Sequence, residues 1–400
     1  MAPPFPPLPP LPVPEQLDIV DLLTQTVARG ASDLHLCAGS PPMVRVHGNL
    51  EPLSSNVLKP ERCRDLIYSI FTENQRARFE EMWELDFAVV VEGQGRFRGN
   101  AHYSRSTVEA TFRHIPGETP PLASLGLPPV VRELCALEQG LIIITGITGS
   151  GKTTTLAAMV EEINNTRSGV IISIEDPIEY IFKHKLCRIK QREIGTDTKS
   201  FPVALRHVLR QDPDVILISE MRDLETMSAA ITAAETGHLV LATLHTSSAP
   251  QTIDRIIDVF PAHQQAQIRT QLSESLQGVI AQSLLPRVGG GRVVALEILV
   301  TTAAVRNLIR EGKTFQLPSV IETGSAAGMI SLAQSLQALV QANKITRDTA
   351  LAAGIERDLL DGPRLMSQAS AKAYMTSAPT KEMPESDPDL ADLHPINAAA

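Results

Sequence analysis

Residues 146–153, with the sequence GITGSGKT, constrain the fold of this chain more than any other segment. They fit the pattern G-x-x-x-x-G-K-[ST], in which glycines let the backbone curl around phosphate oxygens and the lysine adds a point charge. The apolar run LIIIT precedes the segment and a helical pattern follows it, which favours a phosphate site over a glycine turn ahead of an ordinary helix. We therefore predict a nucleotide site made of Gly146, Thr148, Gly149, Ser150, Gly151, Lys152, Thr153 and Thr154.

Acidic residues follow two apolar runs downstream of this loop. Glu220 follows the run from Val215 to Ser219, at the carboxyl end of a predicted strand, where open α/β sheets bind their ligands. A simple ion pair with Arg222 is the alternative interpretation. The run from Val170 to Ile174 is followed by acids that favour a metal and water site over a solvated turn, because close carboxylates repel each other without a cation: Glu175, Asp176 and Glu179.

Two histidines, His238 and His245, bracket the apolar run LVLATL. Their spacing does not fit a helical zinc pair, so a metal role is not indicated. Hydrogen bonding at the two strand ends is one interpretation. The other is that His245, beside Thr243 and Thr246, donates to a γ-phosphate and reports its loss to the neighbouring segment.

The order of patterns along the 400 residues predicts an α/β protein with two folded domains. Short alternating runs and a helical stretch from Glu61 to Trp83 predict a small α+β domain first. Apolar runs alternating with amphipathic helices then predict a parallel sheet with crossover helices. Proline and glycine in PGETPP separate the two patterns. The predicted parts are a disordered proline-rich leader at 1–14, a first domain at 15–115, a linker at 116–121, a second domain with C-terminal helices at 122–362 and a disordered tail at 363–400.

Composition argues against several classes of protein. A formal net charge of -9 provides no global basic field, so we predict no nucleic-acid partner, although a local patch could exist. Four cysteines without a C-x-x-C pair indicate neither a zinc site nor a disulfide framework, and they fit a reducing cytoplasm. The apolar runs are too short to span a bilayer, so we predict no direct membrane insertion.

Five ordered segments carry a resemblance to a known family. They are ASDLHL at 31–36, TGITGSGKTTTLAAM at 145–159, IEDPIEY at 174–180, DPDVILISEMRD at 212–223 and GHLVLATLHTSSA at 237–249. Together they resemble the secretion-ATPase superfamily, and most of all its PilT-type branch, which powers type IV pilus retraction in twitching motility. The segment AVRNLIRE at 304–311 is similar to a motif of the retraction branch. The missing tetracysteine insert argues against the pilus-assembly and type II secretion branches.

The resemblance covers about residues 15 to 360 and implies both a fold and an assembly. It implies a RecA-like P-loop ATPase domain with a parallel sheet, preceded by a smaller PAS-like α+β domain. It also implies a homo-hexamer that hydrolyses ATP with Mg²⁺. The implied partners are an inner-membrane pilus platform protein and related pilus ATPases, which would hold a cytoplasmic protein at the inner face of the cytoplasmic membrane.

Site residues carry over by motif position. Glu179 is similar to the catalytic acid of the family's Asp box, Glu220 to its Walker B glutamate, and His238 and His245 to its His-box pair. The implied Mg²⁺ ligands are Thr153, Glu179 and Glu220. The chain departs from the family pattern with Ile147 in place of proline, Thr153 in place of serine and Ser219 in place of glycine.

Three arginines lie in the strand-like segments GRFRGN and TVEATFRH. Alternation places Arg96 and Arg98 opposite Phe97, and Arg113 opposite Phe112. Such a cationic face in an acidic protein predicts contact with the phosphates of a neighbouring subunit in a ring, as arginine fingers make. A solvated sheet face is the alternative.

The segment AVRNLIRE has helical periodicity. Val305, Leu308 and Ile309 share one face, and we expect that face to be buried. The opposite side, taken alone, reads as an ordinary solvated surface. With the resemblance, it predicts a motor-output motif made of Arg306, Asn307 and Arg310, which transmits hydrolysis to a partner or a neighbouring subunit.

Three other functions compete with a pilus retraction motor. A paralogous pilus or type II secretion ATPase would share every catalytic motif. A nucleic-acid motor with a RecA core would need basic loops that the sequence does not show. A nucleotide-gated scaffold without hydrolysis would not need Glu179 and Glu220.

Overall fold

The computed structural model describes residues 18–46, 49–115, 117, 119–363 and 365–366. The predicted leader at 1–14 and residues 367–400 of the predicted tail lie outside the described residues. Two residues assigned to the tail are bound to Gln337: its Nε2 donates to Pro363 O at 3.0 Å, and Leu365 N donates to its Oε1 at 2.7 Å. The ordered part therefore extends beyond residue 362.

The first part of the described chain contains an antiparallel sheet of six strands. Its elements are α1 (Ile19–Ala28), β1 (Asp33–Leu36), β2 (Met43–Val46), β3 (Asn49–Pro52), α2 (Pro60–Tyr68), α3 (Glu73–Met82), β4 (Glu84–Val91), β5 (Gly95–Ser104) and β6 (Thr107–Ile115). The strand order is β3-β2-β1-β6-β5-β4. Alternating side chains such as Val108, Ala110 and Phe112 of β6 enter a core that the helices share.

The helical stretch predicted from Glu61 to Trp83 is two helices, α2 and α3. Thr72 caps the second: its side chain accepts from Gln75 N at 3.2 Å, and Gln75 Oε1 accepts from Thr72 N at 2.9 Å. This reciprocal cap forms only where a helix begins. The T-x-x-Q spacing indicates the start of a second helix. It was overlooked because the residues on both sides of it have helical composition.

The second part contains a sheet of seven strands with helices on both faces. Its elements are α4 (Pro129–Cys135), β7 (Gly140–Thr145), α5 (Lys152–Thr166), β8 (Gly169–Glu175), β9 (Cys187–Glu193), α6 (Phe201–Val208), β10 (Val215–Ile218), α7 (Leu224–Glu235), β11 (Leu239–Thr243), α8 (Ala249–Asp258), α9 (Ala262–Ser275), β12 (Leu276–Pro286), β13 (Arg292–Val300), α10 (Ala303–Arg310), α11 (Leu317–Thr323), α12 (Leu332–Gln341), α13 (Arg347–Ala352) and α14 (Arg357–Asp361). The strand order is β13-β12-β7-β11-β10-β8-β9, and all neighbours are parallel except β12 and β13.

The four strands predicted for the second sheet are found at its centre. Every residue of β7, β10 and β11 is buried, as expected for parallel strands covered on both faces by helices. The outer strands β9, β12 and β13 were not predicted. The α/β fold class with a parallel sheet and a smaller preceding α+β unit is confirmed.

The topology brings the carboxyl ends of β7, β8, β10 and β11 to one edge of the second sheet. The two sheets touch next to this edge through an ion pair of 2.5 Å between Arg96 Nη2 of β5 and Glu193 Oε2 of β9. Within the described ranges, every helix is too short or too polar to cross a bilayer.

Candidate active site

The loop between β7 and α5 has the backbone that a phosphate-binding turn needs. Gly146, Gly149 and Gly151 have positive φ angles of 144°, 80° and 89°. A Cβ at Gly146 would lie 2.3 Å from the carbonyl oxygen of Gln282, so only glycine fits there. The first helical residue is Lys152. The first N–H groups of a helix have no partner within it, and no side chain caps this helix. This end of α5 is suited to an anion.

The Lys152 ammonium group lies folded over this loop. Its Nζ donates to Gly146 O at 2.8 Å and to Ile147 O at 3.1 Å, and the residue is 9% exposed. Burial lowers the pKa of Lys152, and the charges of Glu220 and Glu179 only partly offset that effect. A phosphate in the loop would stabilise the ammonium form.

Glu220 lies at the carboxyl end of β10 and is held on both carboxylate oxygens. Arg222 donates from Nε to Oε1 and from Nη2 to Oε2, each at 2.8 Å. Burial raises the pKa of Glu220, but the hydrogen bonds and charges of Arg222 and His245 outweigh it and lower the pKa. The ion pair with Arg222, which was the alternative interpretation, is therefore present, and Glu220 also lines an open cleft beside the phosphate loop.

His245 connects the lysine to the acid. Its Nε2 lies 3.1 Å from Glu220 Oε1, and its Nδ1 lies 3.4 Å from Lys152 Nζ. A neutral ring with its proton on Nε2 donates to the carboxylate and accepts from the ammonium, so both contacts suit one tautomer. The residue follows β11, which explains why it reaches the same edge as the loop.

His238 does not reach this edge. It precedes β11, and its Nδ1 lies 3.0 Å from Ala233 O. The five residues of β11 separate it from His245 by roughly 16 Å or more, because a strand rises about 3.3 Å per residue. The expectation that His238 acts with His245 at one catalytic site is wrong within this chain, since the strand between them places them at opposite ends of the sheet.

The acids at and after the end of β8 differ in burial and in hydrogen bonding. Glu175 is 5% exposed, and its Oε1 accepts from Ser173 Oγ at 2.6 Å and from Gln191 Nε2 at 3.0 Å. Burial raises the pKa of Glu175 to about 6, and these two hydrogen bonds act against that rise. Half-buried Glu179 lines the cleft and has no ion-pair partner among the residues the structure describes. Of the predicted acidic group, Glu175 is therefore bonded into the core, whereas Asp176 and Glu179 both line the cleft.

A cleft of about 470 Å³, called the phosphate cleft below, lies between the loop and the first sheet. Its lining includes Thr153, Glu179 and Glu220, whose hydroxyl and carboxylate oxygens are the donors Mg²⁺ prefers. The described residues contain no group of three or more His, Cys, Asp and Glu side chains ready to hold a metal. Mg²⁺ commonly uses one or two carboxylates, waters and substrate phosphates, so these residues fit it.

Two of the three predicted arginines line the phosphate cleft from the first sheet. Arg98 and Arg113 are directly opposite each other in β5 and β6. Arg113 Nε donates to Asp33 Oδ1 at 2.9 Å. The predicted alternation is confirmed, because Phe97 and Phe112 are both fully buried. Both arginines face the phosphate loop of their own chain, and action across a subunit boundary stays a prediction.

Arg96 differs from the other two arginines. Its ion pair with Glu193 leaves its side chain 15% exposed, and Glu193 also accepts from Ile178 N at 3.0 Å. Arg96 therefore joins the two sheets instead of facing phosphate. Sequence alternation could not separate it from Arg98, because its partner lies nearly a hundred residues away.

A second cavity of about 510 Å³, called the apolar cavity below, lies on the other side of the phosphate loop. It shares Gly151 and Thr154 with the phosphate cleft, so the two spaces meet at the start of α5. Its other lining combines apolar side chains, among them Leu125, Leu127, Val293 and Leu339, with the cations Arg287, Arg292 and Lys344. The apolar part suits a flat group attached to a phosphate chain.

Three residues of the site were missed by the sequence reasoning. Gln282 Nε2 donates to Ser150 O at 2.8 Å, Tyr180 Oη shares a hydrogen bond of 3.2 Å with Thr154 Oγ1, and Arg292 lines both cavities. The signal for Gln282 was a polar pair, Gln282 and Ser283, inside the otherwise apolar run GVIAQSLLP. The contact of Gln282 with the phosphate loop could not be inferred without the pairing of β12 with β7.

The predicted motor-output motif forms α10. Of the three residues predicted to be buried, Val305 and Ile309 are fully buried and Leu308 is partly buried. Arg306 is not simply solvated, because its Nη1 donates to Ser273 O at 2.8 Å and to Glu274 O at 2.7 Å at the end of α9. A helix end with unpaired carbonyls attracts a cation. The exposed part of the motif is Asn307, bonded to Glu311, and Arg310.

Comparison with known proteins gives consistent results. The family described as Type II/IV secretion system protein matches residues 128–290. The chain is 49% identical over 334 residues to the type IV pilus retraction ATPase PilT of Pseudomonas aeruginosa, covering 84% of this chain and 97% of that protein. It is 41% identical over 379 residues to the type IV pilus ATPase PilU of the same organism, covering 93% and 98%.

A solved structure supports the same assignment. The crystal structure of the pilus retraction motor PilT with bound ADP matches with a TM-score of 0.81 and 49% identity, covering 86% of this chain and 99% of that one. Identity at this level over almost the whole of a relative goes well beyond a shared fold. The chain therefore belongs to the type II and type IV secretion ATPase family, in its PilT-type branch.

Proposed function

We propose that this protein hydrolyses ATP with Mg²⁺ and powers type IV pilus retraction as a homo-hexameric motor. The observation that carries the proposal is the phosphate cleft, where one wall holds the loop with acids that include Glu179 and Glu220, and the other wall holds Arg98 and Arg113. The names of its relatives supply the biological task. The inner-membrane pilus platform and related pilus ATPases are the proposed partners, on the cytoplasmic face of the membrane.

Nucleotide binding follows from the two cavities. Phosphates bind at the start of α5, where free N–H groups and Lys152 meet them. The nucleoside then enters the apolar cavity, because that cavity joins the cleft at Gly151 and Thr154. Burial of the base against leucine and valine side chains contributes affinity without charge.

Hydrolysis needs a positioned water and stabilisation of the developing charge. Bound Mg²⁺ would supply charge neutralisation at the phosphate oxygens, held by Thr153 and the cleft acids. Glu179 faces the cleft without an ion pair and is the residue proposed to orient the attacking water. Glu220 is fixed by Arg222 and His245, so its carboxylate stays ionised and directed. His245 is proposed to respond to the γ-phosphate through Lys152.

The arginine wall links hydrolysis to movement. Arg98 and Arg113 belong to the first sheet, while the phosphate loop belongs to the second. A nucleotide with a γ-phosphate attracts both arginines and holds the two sheets together, and loss of that charge releases them. Rotation of one sheet against the other is the proposed power stroke.

A second candidate is a paralogous pilus ATPase that assists a retraction motor. The PilU relative favours it, because that alignment extends over 93% of this chain. Both candidates share the same chemistry and differ in whether the protein retracts pili alone. Deletion of the gene for this protein in cells that keep the paralogue separates the two candidates. Loss of an assisting ATPase should leave measurable twitching, whereas loss of the main motor should abolish it.

The proposed function is tested with Lys152→Ala in purified protein and in cells. We expect ADP affinity to fall by about 100-fold or more, because the loop loses its charge, and twitching to stop while surface pili remain. Lys199→Ala, an exposed lysine outside the cleft, is the matched control. Unchanged ADP affinity in Lys152→Ala, or loss of surface pili, would contradict the proposal.

A further inference from the structure

We propose that Gln282 is a positioning residue that fixes one backbone donor of the phosphate loop. The inference rests on the proposed function, because the donor in question is meant for phosphate. Gln282 lies on β12, whose residue Ala281 pairs with Thr145 at the end of β7. It therefore lies beside Gly146, where the loop begins.

The contact is buried and directional. Gln282 is 3% exposed, and its Nε2 donates to Ser150 O at 2.8 Å. Ser150 O and Gly151 N–H belong to the same trans peptide and point in opposite directions. Gln282 lines the apolar cavity and not the phosphate cleft, whereas Gly151 lines both. A bond that holds the carbonyl on the cavity side therefore turns the N–H toward the cleft.

This peptide needs such a restraint. Gly151 has a φ of 89°, and glycine adopts conformations on both sides of φ at little cost. A flip of the 150–151 peptide would present a carbonyl oxygen to the phosphate in place of a donor. An acceptor facing an anion is repulsive, so the bond from Gln282 selects the conformation that binds.

The remaining polar atoms argue against a purely stabilising role. Gln282 Oε1 and Ser150 Oγ are buried and have no hydrogen-bond partner among the described residues. An unpaired buried polar atom costs free energy, and an apolar side chain of similar shape would avoid that cost. The benefit of the amide at this position is then the orientation of Ser150 O.

The test compares ADP with adenosine on the full chain. In Gln282→Met, a side chain of similar length without a donor, we expect the Kd for ADP to rise about tenfold and the Kd for adenosine to change by less than about twofold. A packing role at the apolar cavity would weaken both ligands. Gln277→Met is the matched control, because this second glutamine lies at the other end of β12 and contacts Arg306.

The outcomes separate this inference from the proposed function. Failure of the wild-type protein to bind ADP overturns the proposed function. Wild-type affinity for ADP in Gln282→Met, or equal weakening of ADP and adenosine, overturns the role of Gln282 alone. If circular dichroism shows that Gln282→Met is unfolded, Gln282→Asn replaces it, since its amide is one methylene too short to reach Ser150 O.

Discussion

The two walls of the phosphate cleft are built in different ways. The loop wall is bonded to itself: Lys152 is held by loop carbonyls and Glu220 by two donors close to it in the fold. The arginine wall consists of long side chains on an antiparallel sheet, and Arg113 is 66% exposed although it pairs with Asp33. The loop wall is therefore preorganised by its own bonds, whereas Arg113 on the arginine wall is bonded away from the loop, to Asp33.

This difference assigns different tasks to the walls. A preorganised wall stabilises charge in the transition state without further rearrangement, as the chemical step requires. Half-buried Arg98 and exposed Arg113 have no bond to the loop wall among the described residues, so a bound nucleotide would supply their interaction with it, and they suit a contact that is made and broken. Substitutions on the loop wall should therefore affect chemistry most, and substitutions on the arginine wall should affect closure.

Glu179→Gln and Glu220→Gln test the loop wall and should have the largest effect. Each keeps the shape of the side chain and removes the charge that positions water or metal, so we expect ATP binding within about threefold and kcat lower by about 10³-fold. Steady-state hydrolysis at saturating ATP measures kcat, and nucleotide titration on the same samples measures ATP binding. Glu225→Gln, an exposed acid in the first turn of α7, is the control. Normal turnover in both variants would remove these acids from the mechanism.

Arg98→Ala tests the arginine wall. Loss of one charged contact to the nucleotide should lower kcat/KM by about 10-fold to 100-fold with no change in melting temperature. The predicted contact across a subunit boundary is tested by mixing Arg98→Ala with Lys152→Ala protein, and recovered ATPase activity in rings shown to be mixed would support it. No recovery at any mixing ratio would show that Arg98 acts on the loop of its own chain, which it faces.

Sequence reasoning succeeded where the site is local. The loop is contiguous, and Glu179 and Glu220 follow buried strands at the edge where parallel sheets bind ligands, so pattern and topology rules located all three. The fold class followed from the same periodicity. The first sheet's alternation likewise put Phe97 and Phe112 in the core.

Sequence reasoning failed where a residue's role depends on a distant partner. Gln282 acquires a role only from the pairing of β12 with β7, and Arg306 only from carbonyls at the end of α9. His238 belongs to the same motif as His245, but a motif that spans a whole strand has its two ends at opposite edges of the sheet. Side-chain type and spacing carry no information about such contacts.

Glu175→Gln tests whether the buried carboxylate of Glu175, on the loop wall, lowers the free energy of unfolding. The pKa of Glu175 is raised to about 6 from 4.5, mainly by burial, so the folded state binds its proton more tightly than the unfolded state. The free energy of unfolding should then decrease as pH rises from about 4.5 to about 6 and stay lower above it, by about 2 kcal/mol. Glutamine still accepts from Ser173 and Gln191, so Glu175→Gln should melt higher at pH 7 and flatten this dependence.

The measurement is thermal unfolding of both proteins between pH 5 and pH 8. The variant's advantage should be greatest at the upper end and should shrink as pH falls toward 5, because the wild-type carboxyl becomes protonated there. An equal difference at every pH would mean that packing and not ionisation separates the two proteins.

Arg306→Ala should have the smallest effect. It is compared with Arg98→Ala, because Arg98 lines the phosphate cleft and Arg306 does not. Arg306 bonds two carbonyls at the end of α9, so its removal should lower stability by about 1 kcal/mol and leave kcat/KM for ATP unchanged. Arg310→Ala, exposed on the same helix, should change neither quantity. Twitching then separates the two roles: a loss in Arg310→Ala with normal ATPase activity assigns output to the exposed face of α10. If twitching stays normal in Arg310→Ala and fails only in Arg306→Ala in proportion to its lower stability, α10 acts through packing against α9 and transmits no separate signal.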